Sequence, residues 1–181
     1  MAEIDEASLV ERALKGDHQA FATLIDAYGC VVYNLALRMV NDVEDARDLA
    51  QTVFIKAWEK LATFDRRNRF FSWLYRIALN ESLNHRSRRR RHEMLDEGLR
   101  SAEPGPEQRF EATEEIQMVQ AALMELKEND REVVVLRHFL QLSHHEMSAI
   151  LGVPEKTVKS RLYSARQRLE VQLRRKGLST P

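Results

Sequence analysis

The sequence predicts an all-α protein of two small helical bundles joined by a flexible acidic linker. Three observations carry this. Apolar residues recur at spacings of three and four almost throughout, and alternating strand patterns are nearly absent. Gly (6) and Pro (4) are few and sit at joints. The stretch 92–115 holds Pro104-Gly105-Pro106, eight acids and little apolar periodicity, and so reads as a tether between ordered parts. A length of 181 residues suits two small domains, and 44 % apolar residues suffice for packed cores.

The first bundle is expected over residues 1–91. Leu9, Val10, Ala13 and Leu14 make a short amphipathic segment that Gly16 ends. Asp17 is placed to cap a second helix with the apolar face Phe21, Leu24, Ile25, Tyr28, Val32 and Leu35. Asn41-Asp42 breaks the pattern and caps a third, where Ala46, Ala50, Val53, Ala57 and Leu61 align. Residues 64–69 read as a polar loop, and a fourth helix runs from about Phe70 to near Arg91. The second bundle, 116–181, restarts with Ile116, Val119, Leu123 and Leu126. Asn129-Asp130 is expected to cap the next helix, which carries Val133, Val134, Leu136, Phe139 and Leu140.

The 28 Lys+Arg exactly offset by 28 Asp+Glu conceal strong blocks of charge. Residues 1–50 carry −6, 51–91 carry +8, 92–115 carry −6 and 116–181 carry +4. Alternating blocks on this scale imply separate surfaces for separate partners. No apolar run of membrane-spanning length stands out in the sequence, and the N-terminus lacks a secretory layout, so no membrane insertion and a cytoplasmic location are expected. The lone Cys30 has no internal disulfide or CxxC partner. The adjacent His144 and His145 point about 100° apart on a helix, which suits surface histidines better than a metal site. No metal or cofactor is expected.

Two segments carry the chemistry. In the second bundle, Ser143 and Glu146 have capping-box spacing, Gly152 stands where a helix must stop, and Pro154 can open the next one. Ile150, Leu151, Val153, Val158 and Leu162 would fix the angle between the two helices. This is the pattern of a helix-turn-helix with Glu155–Leu169 as recognition helix in a DNA major groove. Lys156, Lys159, Ser160, Tyr163 and Ser164 would face bases and nearby phosphates, with Arg166, Arg168, Arg174 and Arg175 further along the backbone. In the first bundle, Trp73, Arg76, Asn80, Asn84, Ser87, Arg88 and Arg91 share one stripe, beside a loop containing Phe64, Arg66, Arg67 and Arg69. Cations to hold a backbone, aromatics to stack bases and amides to read base edges suit single-stranded nucleic acid. Phe70, Leu74 and Ile77 are expected in the core, and Trp73 could serve either purpose.

With these segments in order, the chain resembles the extracytoplasmic-function group of bacterial RNA polymerase sigma factors, from about Leu9 to Leu173. Asp45-Ala-Arg-Asp48-Leu49-Ala-Gln51-Thr-Val-Phe54-Ile-Lys-Ala-Trp58 is similar to the family's region 2.2, Phe70–Asn80 to region 2.3, and Val133–Arg137 with the helix-turn-helix to region 4. The resemblance implies core polymerase contact by Asp45, Asp48, Leu49, Gln51, Thr52 and Phe54 at the clamp helices of the largest subunit. It implies capture of a single-stranded −10 element by Phe64, Arg66, Arg67, Arg69, Trp73, Arg76, Asn80, Asn84 and Arg88. The duplex −35 element falls to Arg137, Lys156, Thr157, Lys159, Ser160, Tyr163, Ser164 and Arg168, with region 4 also touching the polymerase flap. An anti-sigma factor is implied as a further partner, and no additional sensor domain is expected after Pro181.

Two rival readings explain less. A free-standing helix-turn-helix regulator leaves the α-helical 45–58 string and the aromatic stripe without a purpose. A metal-dependent nuclease would need Asp42, Glu44, Asp45 and Asp48 to converge, whereas they spread round the start of a helix, where its dipole favours negative charge. No enzymatic activity is expected.

Overall fold

A computed structural model describes residues 5–95 and 113–178. The expected linker, 92–115, therefore falls largely outside the described residues. Its edges do not: they are helical, as set out below.

Among the described residues, the N-terminal bundle has four α-helices. Helix α1 (Glu6–Leu14) is capped by Asp5, and Gly16 makes the turn that follows at a φ of 90°. Helix α2 (His18–Val40) starts on the Asp17 carboxylate, which accepts the Ala20 N–H at 3.1 Å. It stops at Asn41, which takes the left-handed conformation at φ 61°. Asp42 then caps α3 (Val43–Lys60) by accepting the Asp45 N–H at 2.9 Å. A single 3₁₀ turn, Leu61–Thr63, and the polar loop lead to α4 (Phe70–Leu95). Leu24, Val32, Leu35, Met39, Val53, Phe70 and Leu74 form the centre of this bundle, each at most 2 % exposed. Phe71 and Tyr75 are buried as well, while Ile77 packs at the margin.

Helix α2 corrects one expectation. At 23 residues it is long and apolar enough to cross a membrane by composition alone. Its buried residues instead form the axis of the bundle, with α1, α3 and α4 packed round it.

The C-terminal bundle consists of α5 (Glu114–Met124), α6 (Glu128–Val134), a π-type turn (Val135–Phe139), α7 (His144–Leu151) and α8 (Glu155–Arg175). Leu123, Val133, Leu136, Met147, Ile150, Val158 and Ala165 fill its core. The turn is wide because the Leu140 N–H bonds the Val135 carbonyl five residues back, at 3.2 Å.

Several boundaries differ from expectation. Helix α4 continues past Arg91 to Leu95, and α5 begins at Glu114, so both run into the expected linker. Helix α6 starts at Glu128 behind Lys127, placing Asn129 and Asp130 inside its first turn rather than at its cap. Pro154 is the residue before α8 rather than its first residue, and α8 extends beyond Leu169 to Arg175.

The centre of the C-terminal bundle holds a charge. Arg131 is completely buried, and its guanidinium donates to three carbonyls that close α5: Leu123 O at 2.8 Å, Met124 O at 2.8 Å and Leu126 O at 3.0 Å. Its remaining arm reaches Met39 O of α2 at 3.0 Å. The two bundles thus touch, along α2 with α5 and along α4 with α7.

Candidate polymerase and DNA interfaces

The outward face of α3 follows from helical arithmetic. Ala46, Val53, Ala57 and Leu61 fix the inward side, so positions 48, 51, 52 and 55 lie roughly opposite at 100° per residue. Asp48, Gln51 and Ile55 are exposed and Thr52 partly so. Leu49 and Phe54 flank the buried side and are only 6 % and 8 % exposed, so they support the helix from within and cannot present a surface. Ile55, which the sequence reading passed over, is 60 % exposed, an aliphatic group amid polar neighbours. Asp45 turns toward α4, pairing with His85 at 2.9 Å and Arg89 at 3.2 Å, and so ties the two helices together.

On α4 the expected stripe is present. Arg76, Asn80, Asn84, Ser87, Arg88 and Arg91 are all exposed, and Arg76 also donates to Ile150 O at 2.9 Å and to Ala149 O, at the end of α7. Trp73 is partly buried: its ring lies 5.3 Å from Phe64 and 5.7 Å from Phe70, so it props the base of the loop. Within that loop, Asp65 accepts the Arg67 guanidinium at 2.7 Å and the Arg67 N–H at 3.0 Å. These bonds hold the Asp65 carboxyl down at about 2, the guanidinium contributing most. Arg66 and Arg69 are exposed. Arg69 also lies over the Phe71 ring at 4.4 Å and pairs with Glu146 at 3.3 Å.

The helix-turn-helix has the expected local construction. Ser143 and Glu146 form the reciprocal capping box, and Gly152 ends α7 in the left-handed conformation at φ 65°. The Ser148 hydroxyl donates to Val153 O at 2.6 Å, bracing the turn. On α8, Lys156, Lys159, Ser160 and Tyr163 are exposed, with Thr157 and Ser164 partly exposed beside them. Tyr163 is 66 % exposed, which suits a contact surface better than a core. Two of the expected −35 contacts are engaged within the bundle. Arg137 donates to Leu142 O at 2.8 Å and closes the connection into α7. Arg168 pairs with Asp130, whose side chain is 9 % exposed, and fastens α8 to α6.

Family models decide between the readings. Sigma-70 region 2 matches residues 24–92, and Sigma-70, region 4 matches residues 116–169. The ECF RNA polymerase sigma factor SigW of Bacillus subtilis is 33 % identical, over 91 % of this chain and 95 % of the relative. The chain belongs to the extracytoplasmic-function RNA polymerase sigma factors. The ECF RNA polymerase sigma-E factor of Escherichia coli K12 is also 33 % identical, over 93 % of this chain and 94 % of that protein. Among solved structures, CnrH in complex with the cytosolic domain of CnrY matches at a TM-score of 0.73 and 28 % identity, over 93 % of this chain and 96 % of that one. The sigma factor RpoE in complex with the anti-sigma factor NepR, from Bartonella quintana, matches at 0.67 and 26 % identity, over 85 % and 96 %. As a sigma factor of this group, the chain directs promoter recognition and transcription initiation by RNA polymerase, through a region 2 bundle and a region 4 bundle.

Proposed function

We propose that three separate faces divide the work of this sigma factor. Asp48, Gln51, Thr52 and Ile55 of α3 meet core polymerase. The α4 stripe with its loop captures the −10 strand, and the start of α8 reads the −35 duplex. The observation that carries the middle assignment is the exposed row Arg76, Asn80, Asn84, Arg88 on one helix face, with Trp73 and the basic loop at its end. Guanidinium groups fit phosphates, and amides fit the edges of an unstacked base. Extracting that base costs a few kcal/mol, which contacts from this face offset.

The domains of this reading are 1–91, 92–115 and 116–181, with the acidic segment as tether. The factor works in the cytoplasm, without catalysis or cofactor of its own. An anti-sigma partner is supported by the complexes of CnrH with CnrY and of RpoE with NepR. The test is run-off transcription with core polymerase on a promoter carrying both elements. Trp73→Ala should slow promoter opening roughly tenfold, on the scale of one lost stacking contact, with core binding unchanged. Equal loss of opening and core binding would refute the assignment of Trp73 to DNA.

A further inference from the structure

Arg86 of α4 is a half-buried cation without a full counter-charge. Among the described residues, no carboxylate lies within ion-pair distance of its guanidinium, and its one hydrogen bond runs from Nη1 to Met39 O at 3.4 Å. That is longer than the ~2.7–3.2 Å of an ordinary N–H···O bond. The same oxygen already accepts Arg131 at 3.0 Å, so two guanidinium groups converge on one carbonyl. Arg90, one turn along α4, reaches Glu128 only at 3.4 Å. Burial lowers the Arg86 pKa most, Glu128 opposes the shift and Arg90 adds to it. A guanidinium withdrawn from water with so little opposite charge is costly, and an anion at this place would relieve it.

The surroundings have room for one. Arg86 and Arg90 line two adjoining cavities of about 280 and 330 Å³. The first continues over Asn41 and Met124, and the second over Lys127 and Asn129. Most of the acidic groups in these walls are already engaged. Asp45 meets His85 and Arg89, and Asp42 accepts a backbone N–H at the start of α3. Glu128 then stands alone against Arg86, Arg90 and the exposed Lys127, which excludes a metal cation and favours an anion. Each cavity is near the lower limit of the ~300–1,000 Å³ usual for small-molecule sites, so the ligand is compact. Planar guanidinium forks match phosphoryl oxygens two at a time, and two cavities sharing an arginine wall suit two linked phosphoryl groups. At 100° per residue, positions 86 and 90 lie about 120° round α4 from the stripe Arg76–Arg88, so this is not the face assigned to the −10 strand.

We propose that these cavities form a binding site for a small diphosphate-bearing anion, held centrally by Arg86 and Arg90, with Lys127 and the amides of Asn41 and Asn129 at its two ends. The site uses none of the residues assigned to polymerase or promoter DNA, and it stands or falls independently of them. Isothermal titration calorimetry of the full chain with inorganic pyrophosphate, at ~150 mM salt to screen diffuse attraction, should show one saturable site. Arg86→Gln should weaken binding at least tenfold, because it removes the bidentate cation. Lys127→Gln should weaken it roughly threefold, since an exposed ammonium is partly screened. Arg91→Gln, on the far side of α4, should leave it unchanged. Guanosine diphosphate forms the second arm: tighter binding than pyrophosphate assigns the diphosphate to a nucleotide, and weaker binding assigns it to the inorganic anion. Absence of a saturable site overturns the proposal, as does equal weakening by Arg86→Gln and Arg91→Gln. Displacement of pyrophosphate by a short DNA duplex overturns it too, because Arg86 would then be a backbone contact. If Arg86→Gln loses helicity by circular dichroism, Lys127→Gln decides, and unchanged affinity there overturns the site.

Discussion

Replacing Arg131 by Met tests what a buried charge contributes to the region 4 bundle. Met keeps much of the side-chain length and removes every donor. Two carbonyls at the end of α5, Met124 O and Leu126 O, then lose their partner, whereas Leu123 O keeps the Leu126 N–H at 3.1 Å. Leaving a buried acceptor unsatisfied costs ~1–3 kcal/mol, so the gross loss is roughly 2–6 kcal/mol. Relief of the guanidinium's own desolvation offsets part of it, which leaves an expected net loss of about 1–4 kcal/mol. A bundle of this size has only ~3–10 kcal/mol in total, so a large share of its stability goes. The chain offers a clean assay, since its 2 Trp residues, Trp58 and Trp73, both lie in the N-terminal bundle. In urea, the far-ultraviolet circular dichroism of the Arg131→Met chain should lose an early portion of its amplitude, while the tryptophan fluorescence midpoint shifts little. Arg137→Met, which removes one bond to Leu142 O, should cost only ~1 kcal/mol. If both probes are unchanged in Arg131→Met, the buried guanidinium contributes nothing net. If both fall together, the two bundles unfold as one unit and the reasoning fails.

Three further outcomes follow from single side chains. Burial, only partly countered by Arg161, pushes the Glu132 carboxyl up to about 7 from an ordinary value of 4.5. Its folded form therefore holds a proton that the unfolded form releases, and stability falls as pH rises from about 4.5 to about 7. Glu132→Gln should remove that slope and stabilise the chain by ~2 kcal/mol at pH 8, read by urea midpoints at both ends of the window; an unaltered slope contradicts it. Lys159→Ala should lose ~1–3 kcal/mol of discrimination between −35 sequences, whereas Arg168→Ala should cost ~1 kcal/mol of stability with little change in selectivity. A loss of affinity by Lys159→Ala that is equal for every sequence would assign Lys159 to phosphate. Ile55→Glu should weaken core polymerase binding at least roughly tenfold without unfolding, and unchanged affinity would remove the outward face of α3 from the interface.

Local chemistry was the legible part of the sequence. The caps at Asp17, Asp42 and Ser143, and the stops at Gly16, Asn41 and Gly152, are settled by groups within a few residues of each other. Lys127 escaped because it precedes α6 without any side-chain cap bond, so nothing marks it in the sequence. The resemblance of the 45–58 string to region 2.2 carries Leu49 and Phe54 to the polymerase, whereas both are buried here. The spacing of Ala46, Val53 and Ala57 already placed them beside the core and Ile55 opposite it. The roles of Arg131, Arg137 and Arg168 were not legible, because a guanidinium is equally suited to phosphate, carboxylate or carbonyl. Only the fold determines which of these it meets.

That ambiguity also bears on the neutral total of 28 against 28. Read as blocks, the charges assign a separate surface to each partner, yet in this structure some of these surfaces meet each other. Arg69 pairs with Glu146 and Arg90 with Glu128, both across the bundles. These pairs are exposed and weakly favourable, so they orient the contact between the bundles more than they stabilise it. The directional bonds to the ends of α2 and α7 carry the greater part. A helix C-terminus presents only about half a negative charge, and a phosphate presents a full one. Promoter DNA is therefore the stronger electrostatic partner for Arg76, and its advantage falls with salt because phosphate binding releases counterions, while short bonds to carbonyls depend on salt far less. The same five guanidinium donors can meet carbonyls or phosphates, so what Arg76 binds is decided by where the fold places it and not by its own chemistry.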